Sequence, residues 1–378
     1  MIVIRRPTAG RTLLWMLVLA GAVLAAVRFI RGLGAVTNLS DQFPWGVWIG
    51  FDVMVGVALA AGAFTVSATV HVFHLDRYRP LLRPAVLTGF LGYLMVIIAL
   101  LVDLGRPWNI WHPIVMWNPH SVMFEVAWCV MLYTAVLALE FGQAVLERLG
   151  RWRLLQIARL SITPLAVAAV ILSTLHQSSL GSLFLIAPGK LHPLWYTPLL
   201  PFLFFLSALA VGLAMVTVEA AAAARAFKHH LDLPVFVGLS RAILVILSTY
   251  LAVKVMDLAV RGAWTMLLVP GIERAMFVLE IGLGVILPLL LLSMNHHSRS
   301  AAGLTVTSAL VVIGVIVNRL NVAVTGMLSG SGGVYVPAWT EILITVSIVA
   351  AGLLAYLWIM EHLPIGAPRA TGEAAPTE

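Results

Sequence analysis

Long apolar segments alternate with short polar segments along the whole chain. An α-helix needs about 20 apolar residues to cross a hydrocarbon core that is about 30 Å thick. Ten segments have this character, so the pattern predicts an all-α, polytopic membrane protein with about ten transmembrane helices, arranged as two four-helix bundles plus peripheral helices. The predicted spans lie near residues 12–33, 47–73, 84–102, 121–147, 160–182, 198–225, 235–260, 274–294, 301–328 and 340–362.

The composition excludes a soluble protein. Hydrophobic residues make up 61% of the 378 residues and charged residues 10%, with a mean hydropathy of +1.01, whereas charged residues make up about 25% of a soluble domain. The single cysteine, Cys129, excludes a disulfide scaffold and a cysteine-ligated cluster. Although the net charge is +7, the cations fall in short clusters between apolar segments, so we predict a membrane lipid environment and no nucleic-acid partner.

The first apolar segment has some features of a cleaved secretory signal, because Arg5, Arg6 and Arg11 precede it. The segment is long, however, and Arg28 and Arg31 follow it without a convincing small-residue cleavage site. We therefore expect it to remain as the first helix.

Arginine and lysine are concentrated in alternate gaps between the predicted spans, near residues 5–11, 77–83, 148–159 and 225–241. By the positive-inside rule these gaps are cytoplasmic, and both termini are predicted to be cytoplasmic as well. The loops at 103–120, 183–197 and 329–339 then face outward. These loops are too short to fold alone, so we expect any redox centre on that side to belong to another subunit.

No segment outside the spans predicts a soluble domain. Residues 1–365 are predicted to form one integral membrane domain, and the small, polar residues 366–378 a disordered tail. The gap between the fourth and fifth spans predicts a loop.

Ionisable side chains inside predicted spans are costly, at about 2.5–3.5 kcal/mol each on insertion scales, so each one calls for an explanation. Counted along alternating helix directions, four consecutive spans carry polar residues toward their outward ends. We therefore expect one polar layer just below the outer surface. It comprises Asp52, Asp103, Glu125, His176 and Gln177, with Trp48, Arg106, His112 and His120 nearby.

This polar layer offers the groups that a quinone headgroup needs. A quinol loses two protons as its electrons leave, so a carboxylate or an imidazole must lie within hydrogen-bonding reach of its hydroxyl groups. We predict Asp52, Glu125 and His176 as catalytic residues, with Glu125 passing protons. The predicted quinone-binding residues are Trp48, Asp52, Asp103, Arg106, His112, His176 and Gln177.

Structural explanations compete with these roles. Asp103 and Arg106 are one helical turn apart and could form an ion pair at a helix end. His176 could hydrogen-bond a neighbouring helix, since polar residues also hold transmembrane bundles together. A second polar set in the last four spans is expected to serve mainly mutual charge neutralisation: Lys254, Asp257, Glu280, Arg319 and Glu341.

Histidine usage argues against a haem. A transmembrane b-type haem needs two facing imidazoles, and His176 alone lies well inside a predicted span. It also has no second soft ligand at a helical spacing, so we expect no bound metal. Electrons would then enter from a partner that docks on the outer loops.

Six motifs carry a resemblance to a known family. They are DQFPWGVWIGFD at Asp41–Asp52, VDLGRPWN at Val102–Asn109, NPHSVMFE at Asn118–Glu125, STLHQSSLGSL at Ser173–Leu183, KLHPLW at Lys190–Trp195 and GGVYVPAWTEILI at Gly332–Ile344. From about residue 30 to 365, the chain resembles the NrfD (polysulfide reductase) superfamily, and within it the HybB-type membrane subunits of periplasm-facing [NiFe] hydrogenases.

The resemblance implies a haem-free and metal-free ten-helix subunit in the bacterial inner membrane, with its outer loops in the periplasm. Such a subunit exchanges electrons between menaquinone or ubiquinone and a periplasmic ferredoxin-like iron–sulfur subunit, in a complex with the hydrogenase large and small subunits. The family's quinone pocket in the first four-helix bundle falls here on Asp52, Asp103, Glu125 and His176.

Three other functions stay open at this stage. Related subunits serve cytochrome and sulfur-compound redox complexes. A secondary transporter suits ten helices with buried charges, but it predicts broken helices and polar groups at the midplane. A passive membrane anchor would need no carboxylates within its spans.

Overall fold

The computed structural model describes residues 8–186, 189–227, 232–294, 300–332, 334–363 and 365, and these residues form helices and loops without a β-strand. The predicted tail at 366–378 lies outside the described residues, as do His229, His230, His296 and His297.

Ten helices are long and apolar enough to cross a membrane, which confirms the predicted all-α, polytopic fold. The main departure from the predicted bounds is the third helix, which begins eight residues before the apolar run because Asp76, Arg79 and Arg83 form polar turns ahead of it. The helices are α1 (Ala9–Arg31), α2 (Trp48–His71), α3 (Asp76–Asp103), α4 (Val122–Arg148), α5 (Ile162–Leu183), α6 (Leu200–Ala226), α7 (Leu233–Val260), α8 (Ile272–Ser293), α9 (Ala301–Ser331) and α10 (Trp339–His362).

The loop predicted between the fourth and fifth spans is wrong, because this gap contains the helix Trp152–Leu160. Leu155 is buried, whereas Trp152 and Ile157 expose large apolar surfaces among arginines. A short helix with this character is expected to lie in the membrane interface. Further short helices connect the spans at Leu33–Ala35, Pro107–Asn109, His112–Val115 and Ala263–Leu268.

The spans form two closed four-helix bundles. In bundle one, α2, α3, α4 and α5 each pack against two neighbours, and α6, α7, α8 and α9 do the same in bundle two. The remaining helices, α1 and α10, pack against each other and against α3. This arrangement confirms the prediction of two bundles with peripheral helices.

The two bundles meet where α2 is interrupted at Ala60 and Ala61. There α6 crosses so closely that a Cβ atom on Gly212 would lie 2.7 Å from the carbonyl carbon of Ala61 and 2.8 Å from the nitrogen of Gly62. Small residues permit such approach of helix backbones in membranes. The bundles therefore touch backbone to backbone at this junction.

Three spans contain π-helical turns, which the hydrophobic pattern did not predict. They lie at Trp48–Val55 in α2, Gly282–Ile286 in α8 and Asn321–Thr325 in α9. Such turns insert an extra residue and often occur at functional sites. The segment in α2 carries Asp52, and the segment in α9 begins with the buried Asn321.

The molecule has two ends, which we name by their contents. The terminal face holds Arg11 of α1 and Glu361 of α10, which form an ion pair and so bring both ends of the described chain to the same side. The loop face is the opposite end, where α3 ends at Asp103 and α10 begins at Trp339.

Candidate functional site

Two carboxyl groups from different spans lie close together at the loop face. Asp52 sits in the π-helical segment of α2, where its Oδ2 accepts a hydrogen bond of 2.8 Å from the hydroxyl of Thr345 in α10. Asp103, the last residue of α3, is within electrostatic range of Asp52. The structure thus brings together two of the predicted site residues.

Arg28 of α1 holds the end of α3 in place. Its side chain is 2% exposed and donates hydrogen bonds to the carbonyl oxygens of Val102 and Leu104, and its charge acts on Asp103. The alternative ion pair between Asp103 and Arg106 is therefore replaced by an interaction with Arg28. Arg106 itself has an exposed side chain on the loop that follows.

A fully buried carboxyl group, Glu341 at the start of α10, lies within electrostatic range of Asp103. It accepts hydrogen bonds from the backbone nitrogens of Asn38 at 2.8 Å and Ala338 at 3.0 Å, and from the hydroxyl of Tyr335. Burial and the bond to Glu341 raise the pKa of Tyr335, so its phenol stays protonated and donates. Glu341 is thus held by neutral donors rather than by the predicted pairing with cations.

Trp48 joins α2 to α10. Its side chain is buried among apolar residues of α3 and α10, and its indole Nε1 donates a 3.1 Å hydrogen bond to the carbonyl oxygen of Glu341. This contact gives Trp48 a packing role beside Asp52, and its predicted contact with a quinone stays a prediction.

His176 and Gln177 form a second polar group, inside bundle one. The Nδ1 of His176 shares a 2.8 Å hydrogen bond with the hydroxyl of Tyr93 in α3, and the amide nitrogen of Gln177 donates to the carbonyl oxygen of Val57 at 3.1 Å. Both side chains are 0% exposed, yet His176 Nε2 and Gln177 Oε1 have no hydrogen-bond partner within the described chain. Buried polar atoms without partners are uncommon and call for an explanation.

The remaining predicted residues lie at the loop face outside both groups. Glu125 is half-buried in the first turn of α4, within electrostatic range of Cys129. His112 is half-buried in a short helix, where its ring meets that of Trp111 at a centroid distance of 4.5 Å. The structure thus divides the predicted layer into two clusters of residues. The carboxylate cluster lies near α10, and the imidazole cluster, His176 with Gln177, lies within bundle one.

The sequence reasoning overlooked several residues of these groups. Thr345, Tyr335 and Asn38 contact the site from segments far away in the chain, and no local pattern marks them. Tyr335 does fall within the Gly332–Ile344 motif, which was a usable signal.

Bundle two holds its charges in a separate network. Asp257 pairs with Arg261 at 2.6 Å and accepts from Thr197, while Lys254 donates to the carbonyl oxygen of Leu194 at 2.8 Å. The segment at 189–199, which contains Leu194 and Thr197, is also held by Trp195, whose indole donates to Glu280 at 2.8 Å. Lys254 and Asp257 were expected to neutralise each other, but Asp257 forms its ion pair with Arg261, which lay outside the predicted set, because Lys254 extends to the carbonyl oxygen of Leu194. The other contacts fasten the segment at 189–199 to bundle two.

Comparison with known families identifies the fold. The family model for polysulphide reductase, NrfD, matches residues 35–329. The chain belongs to the NrfD family. This membership confirms the resemblance drawn from the six motifs.

Three relatives are similar to this chain, two over most of its length and one over about half. It is 38% identical over 368 residues to a protein of Nitratidesulfovibrio vulgaris, which covers 95% of this chain and 94% of the relative. It is 33% identical over 353 residues to the probable Ni/Fe-hydrogenase 2 b-type cytochrome subunit of Escherichia coli, covering 92% and 89%. Over 182 residues it is 35% identical to the integral membrane subunit of a menaquinone reductase of N. vulgaris, covering 47% and 42%.

The name of the E. coli relative implies a haem, which in this NrfD-family chain would need two imidazoles on facing spans. Among the described histidines only His176 lies inside a span, whereas the others lie at span ends or in loops. Its Nδ1 is engaged by Tyr93, and no second imidazole contacts it within the described chain. Nor do the described residues include a group of three or more His, Cys, Asp or Glu side chains placed to hold a metal ion. These residues do not fit a bis-histidine haem.

We therefore expect the isolated NrfD-family subunit to bind no haem. Its absorption spectrum, recorded after purification from cells supplied with haem precursors, is expected to lack a Soret band in both oxidised and reduced samples. A stoichiometric Soret band that disappears in a His176→Ala variant would contradict this expectation.

Proposed function

We propose that this NrfD-family chain is the quinone-reactive membrane subunit of a respiratory oxidoreductase in a bacterial inner membrane. It transfers electrons between a periplasmic ferredoxin-like iron–sulfur subunit and menaquinone or ubiquinone. The observation that carries the proposal is that two polar atoms on neighbouring residues of α5, His176 Nε2 and Gln177 Oε1, are fully buried and have no hydrogen-bond partner among the described residues.

The unpartnered atoms suit the two oxidation states of a quinone. When the hydroxyl of Tyr93 donates to Nδ1 of His176, the ring proton lies on Nε2, which is then able to donate to a quinone carbonyl oxygen. Gln177 Oε1 is an acceptor, which suits a quinol hydroxyl. A quinone headgroup bound here would satisfy atoms that are costly to bury without a partner.

Asp52 is the second proton-exchanging group in this proposal, because a carboxyl group accepts a proton from a quinol and returns one to a reduced quinone. It lies five residues before Val57, whose carbonyl oxygen accepts the hydrogen bond from Gln177, so the two positions are little more than one helical turn apart on α2. A single quinone ring with oxygen atoms at opposite ends spans a comparable length. The headgroup would then contact His176 with one oxygen and approach Asp52 with the other.

A [NiFe] hydrogenase is the partner we propose, with its large and small subunits on the periplasmic side. The support is the similarity to a hydrogenase subunit over 92% of this chain, compared with 47% for the menaquinone reductase subunit. Both termini would face the cytoplasm in this arrangement, and the loop face would contact the iron–sulfur subunit.

Replacing Asp52 with asparagine tests the proposed site. The substitution preserves the size of the side chain and an acceptor for Thr345 but removes the ionisable group that gives a proton to the quinone, and general acid–base catalysis is worth about 10²–10⁴-fold in rate. We expect the purified complex to lose quinone reduction by at least about 10²-fold while it still reduces a soluble dye through the partner subunits.

The matched control is Asp41→Asn, because Asp41 is exposed in the loop before α2. It should leave both rates unchanged. Quinone turnover at the normal rate in the Asp52→Asn complex would rule out the assigned role of this carboxylate.

A further inference from the structure

A half-buried glutamate of bundle one lies on the far side of the molecule from the quinone site and has no role in the proposed chemistry. Glu140 is in α4, two turns from the terminal face. Its Oε1 accepts a 3.2 Å hydrogen bond from the hydroxyl of Ser67 in α2, and its Oε2 is buried without a partner among the described residues. Burying a carboxyl oxygen without a hydrogen bond is costly, so its position calls for an explanation.

Glu140 forms part of the wall of a cavity at the terminal face. The cavity measures about 920 Å³ and lies between the ends of α2, α3, α4 and α5; we call it the terminal cleft. Its other polar walls carry the charged or titratable side chains His71, Asp76, Arg79, Arg83, Glu147 and Arg159.

Most of these wall residues have a charged partner, unlike Glu140. Arg79 pairs with Asp76 at 2.6 Å, and Arg83 pairs with Glu147 at 2.6 Å. The terminal cleft is therefore lined by charged residues, whereas the hydrogen bond described for its Glu140 carboxyl group comes from the neutral hydroxyl of Ser67. Such a carboxyl group is most stable with its proton bound, and it is placed to exchange that proton with water in the cleft.

Side chains with hydroxyl groups lie between Glu140 and His176 in the interior of bundle one. Tyr133 lies two turns before Glu140 on α4, about 10 Å along the helix axis, and is within electrostatic range of it. The rings of Tyr133 and Tyr93 meet edge to face at a centroid distance of 4.6 Å, with Ser173 beside both phenols. Tyr93 is bonded to His176 at 2.8 Å.

The remaining gaps suit ordered water. Buried water molecules typically bond to polar groups that would otherwise lack partners, and Glu140 Oε2, His176 Nε2 and Gln177 Oε1 are such groups along this route. Tyrosine and serine hydroxyl groups both donate and accept, so each is able to pass on one proton while taking up another.

We propose that Glu140 is the proton-exchange group through which protons from the terminal cleft enter bundle one and reach the quinone site. This inference rests on the proposed function. Reduction of one quinone to quinol consumes two electrons, supplied by the iron–sulfur partner at the loop face, and two protons, supplied by water in the terminal cleft. Each proton enters at Glu140 and passes through Tyr133 and Tyr93 to His176. The first proton stays on the quinone oxygen at His176. Asp52 protonates the other oxygen and takes up the second proton, so that all these groups return to their starting protonation states.

The first experiment tests Glu140 without using turnover. Dicyclohexylcarbodiimide modifies carboxyl groups that carry a proton in apolar surroundings. In the purified wild-type complex we expect mass spectrometry to find the adduct on Glu140 and not on Glu147, which lines the same cleft but is paired with Arg83. Labelling of Glu147 with Glu140 unmodified would overturn the inference.

The second experiment measures the side from which protons are taken. The complex is reconstituted in liposomes that enclose a pH-sensitive dye, and the impermeant electron donor is added outside, so that only complexes with the loop face outward react. Wild-type complexes are expected to make the lumen alkaline during quinone reduction. Glu140→Gln should slow quinone reduction at least about 10-fold and abolish the lumen signal, while Glu140→Asp should retain part of both.

The matched control is Glu361→Gln, because Glu361 lies at the terminal face but outside the cleft. It should behave as the wild type. If Glu140→Gln retains normal turnover and lumen alkalinisation while Asp52→Asn has lost turnover, the inference is wrong and the proposed function stands. If Asp52→Asn and His176→Ala also turn over normally, the proposed function itself has failed.

Discussion

Replacing His176 with alanine is expected to lower quinone reduction by at least about 10²-fold while dye reduction through the partner subunits continues. The imidazole is fully buried, bonded to Tyr93 on one side, and carries the unpartnered Nε2 on the other. The substitution removes the proposed donor to the quinone and interrupts the route from Tyr93. Steady-state rates with a soluble quinone analogue and with a dye, measured on the same preparation, distinguish this loss from a general loss of activity.

A structural role for His176 makes a different prediction, and a double variant separates the two. His176→Ala leaves the Tyr93 hydroxyl buried without its partner, at a cost of about 1–3 kcal/mol. Adding Tyr93→Phe removes that hydroxyl and should recover much of the lost thermal stability. Recovery of quinone reduction along with stability would show that His176 only holds the helices together. His120→Ala, in an exposed loop, serves as the control.

Replacing Glu280 with alanine is expected to have the largest effect on stability. Its carboxyl group accepts hydrogen bonds from Trp195 at 2.8 Å, Asn318 at 2.7 Å and Asn321 at 2.8 Å, all in buried positions. Its charge also acts on the buried cations Lys254 and Arg319. Removing one partner of a buried charge network leaves the others uncompensated, which costs about 3–5 kcal/mol.

The Glu280→Ala subunit should therefore unfold at a markedly lower temperature in detergent and elute poorly from a size-exclusion column. Glu273→Ala is the control, because Glu273 is half-buried in the first turn of the same helix. An unchanged melting temperature for Glu280→Ala would contradict this prediction, because it would mean that the segment at 189–199 is held in place without this carboxylate.

The number and limits of the spans could be predicted from sequence because the thickness of the bilayer sets the length of each apolar run. The helix Trp152–Leu160 was missed because it is short and amphipathic, and a search for long apolar runs does not detect such a helix. The π-helical turn at Asp52 also has no signature in hydrophobic periodicity.

The candidate site was predicted in composition but not in arrangement. Depth along each span indicated which residues lie near the loop face, but it does not say which side of a helix they occupy. Asp52 therefore contacts Thr345 in α10, while His176 contacts Tyr93 inside bundle one. Likewise, Arg106 is near Asp103 in sequence, but Arg28 reaches it through tertiary packing. Glu140 was overlooked because no second acid accompanies it in a recognisable motif.

The crossing of Gly212 over Ala61 and Gly62 limits how the two halves of the protein move. A carrier that alternates access rocks one half against the other around a central substrate. At this crossing the two main chains approach each other with no side chain between them, so a rocking motion there would have to separate or compress a direct backbone contact. The assembly is better suited to hold redox and proton-transfer partners at constant separation through every turnover than to carry a solute across.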